Sequence, residues 1–244
     1  MRIQTAKMDL AETKKTARLA GLLYLLSSLV GAPALLYVPG KLIVEGDAAA
    51  TADRLRASAG LLRLGIASEI AGFSIFVFVA LVLYRLFQPV SEPHALAMMV
   101  LILISIPITF IGVLPEVAAL DLAGGGSGIS GSLSALDAHQ RDALASLCLH
   151  LHAKGYSVAE VFWGLWLFPF GICVIRSGFI PRFLGVLLMI AAFGYLASSA
   201  SSLVVPRYAD LLAPVTKLTA LELPIIFWLL IWGARRPRAA PTPA

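Results

Sequence analysis

Six apolar runs follow one another along the chain, each able to cross a hydrocarbon core of ~30 Å as a helix of about 20 residues. They extend from Leu19 to Val38, Leu61 to Phe87, Ala95 to Leu120, Gly155 to Ile175, Phe183 to Val205 and Leu218 to Ala234. Polar punctuation separates them: Pro39 to Gly60, the turn Gln88 to His94, the loop Asp121 to Lys154, the tight turn Arg176 to Arg182, and Pro206 to Lys217. Within the third of these the pattern turns helical from Asp137 to Lys154, with Leu144, Leu147 and Leu151 at spacings of three and four. Such a stripe predicts a helix lying on the outer interface or extending the fourth span outward. The predicted fold is therefore all-α: a six-helix transmembrane bundle with an amphipathic outer helix before the fourth span. Residues 1–18 form a basic cytoplasmic segment, 19–234 the membrane domain and 235–244 a basic cytoplasmic tail.

Composition supports a lipid-facing surface. Of the 244 residues 59% are hydrophobic and only 14% charged, against roughly a quarter charged in soluble domains. The net charge of +5 would suggest nucleic acid in a soluble protein, but the basic residues gather at the ends of apolar runs, where anionic lipid head groups are the expected partner. The charge pattern also sets a predicted orientation. With the N-terminus inside, Arg2, Lys7, Lys14, Lys15, Arg18, Arg85, Arg176, Arg182, Arg235, Arg236 and Arg238 all face the cytoplasm, and the remaining basic residues spread through longer outer loops. A cleaved signal peptide is not expected, because the first apolar run exceeds a typical signal core and further spans follow. Cys148 and Cys173 fall near opposite ends of one helical stretch, ~37 Å apart if it is continuous, and cannot bridge within one chain.

Ionisable residues within apolar spans are costly and by default mark functional or buried polar sites. Glu69, Glu116, Glu160 and Glu222 all fall in the outer halves of their spans, Glu69 deepest at about eight residues or ~12 Å from the outer end. Arg63 precedes Glu69 by six residues, some 120° around the helix, so a partner for Glu69 is expected from another helix. His150 and His152 are two apart and point to opposite faces, so they predict no shared metal; no metal and no cofactor are expected. His152, Tyr156, Glu160 and Trp163 share about 80° of one helix face, a stripe suited to accepting protons or binding a cation. Arg63 is a candidate counter-ion, and Glu116 is expected at the rim of the cavity.

Several other features carry bland readings. Prolines 33, 107, 169 and 224 release the carbonyls of Leu29, Leu103, Leu165 and Ala220 and predict bends. The glycine-rich stretch Gly124 to Gly131 lacks the lysine and strand context of a phosphate cradle and reads as a flexible outer loop. Ser198, Ser199, Ser201 and Ser202 lack the glycine elbow of a nucleophile and read as a helix-packing face.

The stretch GLWLFPFGICVIRSGFIPRFLGVLLMIAAFGYL at Gly164 to Leu196, with RLAGLLYLL at Arg18 to Leu26 and LELPIIFWLLIWG at Leu221 to Gly233, resembles the bacterial multi-pass membrane family known as domain of unknown function 4386 (DUF4386). The resemblance implies a multi-pass helical protein of the bacterial inner membrane and supplies no catalytic residues. Within its central motif Arg176 and Arg182 suit head-group contact, Gly178 a bend, and Pro181 the start of the next helix. The leading expectation is a non-enzymatic protein that binds, senses or transports a small ligand, proton or cation. Its outward-facing polar cavity would be lined by Glu69, Glu160, Glu222, His152 and Tyr156. The alternatives are a membrane-embedded hydrolase or transferase acting on a lipid, and a structural partner subunit. Expected partners are membrane lipids and a small ligand or ion, not nucleic acid; association into an oligomer is compatible with the pattern.

Overall fold

The computed structural model describes residues 10–124 and 136–235. Most of the glycine-rich loop, from Gly125 to Gly131, lies outside the described residues, as do the first nine residues and those from Arg236 onward. All regular structure among the described residues is helical. Six passes are long and apolar enough to cross a membrane.

The first pass combines α1 (Leu10–Ala32), a π-helical turn (Pro33–Tyr37) and α2 (Val38–Leu42). It begins nine residues before the apolar run does. Lys14, Lys15 and Arg18 are exposed while Thr13, Ala17 and Ala20 are buried, so helical periodicity continues past the uncharged stretch. The second and third passes are α4 (Ala59–Phe87) and α5 (Glu92–Leu122). The fourth is α6 (Ala138–Leu165) followed by α7 (Leu167–Ser177), the fifth α8 (Arg182–Leu203). The sixth region is a 3₁₀ turn (Pro206–Tyr208), α9 (Ala209–Thr216), a 3₁₀ segment (Lys217–Glu222) and α10 (Leu223–Ile231).

The stripe from Asp137 is one helix with the fourth pass, opened by a capping box in which Asp137 and Gln140 satisfy each other's backbone N–H groups. Two predicted loops are themselves helical. One is Pro206 to Lys217; the other, Pro39 to Gly60, holds α3 (Ala48–Ala57), whose N-cap Asp47 accepts from the Ala50 N–H at 2.9 Å. Prolines shape the passes as missing N–H groups dictate. The fourth pass breaks at Trp166, next to Leu165, whose carbonyl the N–H-less Pro169 cannot bond, and Pro33 opens the π turn. Around Pro107, by contrast, α5 stays continuous.

The passes form a ring in chain order: α1 packs on α4, α4 on α5, α5 on α6, α6 and α7 on α8, α8 on the 3₁₀ segment, and α10 back on α1. Small residues permit the crossings. A Cβ placed on Gly185 would lie 2.6 Å from the Gly171 carbonyl oxygen, so α7 and α8 meet backbone to backbone. Ser157 and Lys154 of α6 hydrogen-bond to Ser202 of α8 at 2.8 and 3.0 Å, which gives that member of the serine cluster a packing role. The turn from α7 to α8 uses Gly178 in the left-handed region (φ 68°) and Pro181 at the cap of α8. At the end of the bundle where α1 begins and α10 ends, Arg18 donates to the Ile231 carbonyl at 2.8 Å, Arg235 stacks on Trp228 at 4.3 Å, and the Arg235 N–H bonds the Phe179 carbonyl at 2.9 Å. Cys148 and Cys173 are both free thiols.

Apolar packing divides into two clusters. The larger, built around Trp166, Phe170, Met98, Leu83 and Leu188, fills the half where α1 begins and α10 ends. The smaller joins Val38, Leu42, Leu55, Leu62, Ala119, Leu120, Ala145 and Leu149 at the far end. There α3 lies on α6, its buried Leu55 and Ala52 facing inward and Arg56 reaching Asp142 at 2.7 Å. Because Arg56 remains half-exposed, solvent screening limits this pair. Arg56→Met should therefore cost under about 1 kcal/mol, read as a small downward shift in thermal midpoint.

Candidate functional site

Between the two apolar clusters lies a layer of buried acids. Glu69 on α4, Glu116 on α5 and His152 on α6 are 1%, 6% and 9% exposed. One ligand atom from each lies within 4.8 Å of those of the other two. The third pass brings Glu116 here because it runs antiparallel to the second, so a residue near the end of α5 meets one near the start of α4.

The geometry assigns the imidazole tautomer. His152 Nδ1 lies 2.9 Å from the Gly112 carbonyl oxygen, which only accepts, so Nδ1 carries the proton. Nε2 then faces Glu116 at 3.6 Å and Glu69 at 3.8 Å, too far for a good hydrogen bond. Both Glu69 oxygens and Oε2 of Glu116 are buried without a hydrogen-bond partner. The Tyr156 phenol interacts with Glu69, but no hydrogen bond closes between them. His152 and Tyr156 meet edge to face with centroids 5.0 Å apart.

A second polar group sits around the ring. Glu222, 8% exposed at the start of α10, accepts from the Tyr195 hydroxyl of α8 at 2.7 Å. Glu160 on α6 interacts with Ser198 and lies near Tyr195. An aromatic series links the two groups: Tyr156 to Trp163 at 5.6 Å, and Trp163 to Tyr195 at 6.2 Å.

Beside this series is a cavity of about 430 Å³ walled by Tyr24, Phe73, Phe76, Trp163, Trp166 and Tyr195, with Glu222 and Tyr156 also on its lining. Its edge includes Leu35, Leu36 and Leu223, each more than half exposed on the apolar outer surface of the first and sixth passes. The opening thus faces sideways between those passes. Tyr24 and Trp163 line it, while their polar atoms, Tyr24 Oη and Trp163 Nε1, are buried without hydrogen-bond partners.

The structure thus draws Glu69, Glu116, His152 and Tyr156 into one centre and Glu160 and Glu222 into another, joined by aromatic side chains, with Tyr156 and Glu222 both on the cavity lining. Arg63 is at an exposed position on α4. Glu116 lies within the polar centre and not at a rim, because α3 and the start of α6 cover that end. His150 is exposed and bonds the Ser146 carbonyl, on the face opposite His152. Tyr195, Tyr24 and Trp166 carry no local motif; a tyrosine or tryptophan in mid-span facing the predicted acids was the available signal.

These features define a multi-pass helical membrane protein with a buried carboxylate–imidazole centre. The chain belongs to the family described as domain of unknown function (DUF4386), whose model matches residues 19–233. It is also 30% identical over 92 residues to an uncharacterised protein of Archaeoglobus fulgidus; the match covers 36% of this chain and 54% of that relative, so it spans about half the relative's length. No solved structure matches.

Proposed function

We propose that this membrane protein binds a small hydrophobic organic cation in the aromatic cavity, reached from the bilayer between the first and sixth passes, with both termini cytoplasmic. The observation that carries the reading is a buried carboxylate, Glu222, set in an aromatic-walled cavity whose edge is lipid-facing. Aromatic faces attract cations and a desolvated carboxylate adds charge complementarity, whereas an anion would be repelled by Glu222. A cavity of this size suits a small ligand.

The test is binding of tetraphenylphosphonium to the protein in lipid nanodiscs, followed by tryptophan fluorescence, since Trp163 and Trp166 line the cavity. Saturable binding is expected, weakened at least tenfold, or about 1.4 kcal/mol, by Glu222→Gln. Equal affinity in the variant, or no saturable binding to the wild type, would remove this reading.

A second reading, a membrane-embedded hydrolase or transferase, is favoured by one observation: an imidazole and two carboxylates converge beside a lipid-facing cavity. Histidine and carboxylates are the usual proton carriers of such reactions.

A further inference from the structure

We propose that Glu69, Glu116 and His152 form a binding site for one divalent transition-metal ion, of which zinc is the representative. Each comes from a different pass, and each is held by the packing of its helix. The donor set of two carboxylates and one imidazole suits zinc, manganese or iron(II).

Three features of the geometry favour a metal over an ordinary buried polar cluster. The first is the orientation of His152: Nδ1–H is tied to the Gly112 carbonyl at 2.9 Å, so the Nε2 lone pair points at the acids. Metal-bound histidines almost always fix their other nitrogen in this way. Spacing is the second. Ligands at the 2.0–2.1 Å bond lengths of a tetrahedral zinc ion stand about 3.4 Å apart. The observed 3.6 and 3.8 Å from Nε2 to the carboxylates are close to that but too long for hydrogen bonds, and one atom from each of the three residues lies within 4.8 Å of the other two, so an inward shift of the acids would complete the set. The third is the unmet demand of the acids, since three buried carboxylate oxygens lack a closed hydrogen bond. Two ionised carboxylates carry a charge of −2, which a divalent ion cancels; a neutral centre is far less costly in a low-dielectric interior.

Tyr156 gives the site a direction. It interacts with Glu69 on one side and lines the cavity on the other. A fourth ligand, water or the polar end of a molecule in the cavity, would approach the metal past this phenol.

The experiment uses the full chain in nanodiscs, stripped with chelator and titrated with zinc(II) alone, with bound metal measured by elemental analysis after dialysis. One zinc per chain is expected. Glu69→Gln, Glu116→Gln and His152→Gln should each weaken binding at least about tenfold. His150→Gln and Glu222→Gln should leave it unchanged, and the latter separates this site from the cation cavity. Absence of stoichiometric zinc in the wild type, or variants that bind as it does, overturns the proposal. Should the variants fail to fold, zinc-edge X-ray absorption on the wild type decides. One imidazole with oxygen ligands supports the site; thiolate or several imidazoles overturns it.

Discussion

Gly185→Val is expected to abolish most of the folded protein. The glycine lies where α7 and α8 cross, and any Cβ would come within 2.6 Å of the Gly171 carbonyl oxygen and close to the Ile175 side chain. A backbone oxygen cannot rotate aside as a side chain does, so the helices must separate. A displaced α8 must also keep its close crossing with α6, where a Cβ on Gly164 would stand 2.9 Å from the Ala192 oxygen. The cost should reach or exceed about 3 kcal/mol, the upper end for overpacking. Thermal unfolding in nanodiscs measures it. Gly60→Ala is the control, because nothing lies within 4 Å of a Cβ there. Equal midpoints for the two variants would show that the α7–α8 crossing is looser than described.

The second large effect is expected at Trp166. Only 1% exposed, it stacks on Phe170 at 5.1 Å and meets Phe76 and Tyr24 at 5.9 and 6.1 Å. Tryptophan-to-alanine changes in cores cost about 3–5 kcal/mol. In a bilayer the aqueous transfer contribution shrinks, because lipid tails are as apolar as the core, while the loss of packing remains. Trp166→Ala should thus sit at the low end, about 3 kcal/mol, and Trp163→Ala, at a partly exposed cavity wall, clearly lower. A midpoint for Trp166→Ala no lower than that of Trp163→Ala would contradict the packing described.

The passes were legible because hydropathy over twenty residues is a local property. What hydropathy missed is also local but weaker. At α3 the signals were Asp47 as N-cap and Arg54 and Arg56 in the last turn, masked by the polarity of Glu45 to Arg56. Polar ends hid the start of α1 in the same way. In the site, Glu69, Glu116 and Glu222 stood out as ionisable residues in apolar helices, and the facing of His152 away from His150 followed from helical geometry. That Glu69 and Glu116 share one imidazole was not legible, because the three residues come from separate passes and no spacing along the chain encodes their meeting. A search for local ligand pairs therefore found only His150 and His152, which cannot act together. The separation of Glu222 from that centre was hidden for the same reason: it depends on which helices become neighbours in the ring.

The ring also has a seam. Its first and last passes are separated by nearly the whole sequence, yet they touch at Gly21 and Leu230, and Gly233 packs over Lys14. During synthesis the small-residue face of α1 must wait until every other pass has been inserted before its neighbour arrives. The aromatic cavity straddles this seam, taking Tyr24 from one margin and Glu222 from the other. The cavity is therefore complete only in the closed ring: a nascent chain lacking its final helix lacks one wall of it, however well its first five helices have assembled.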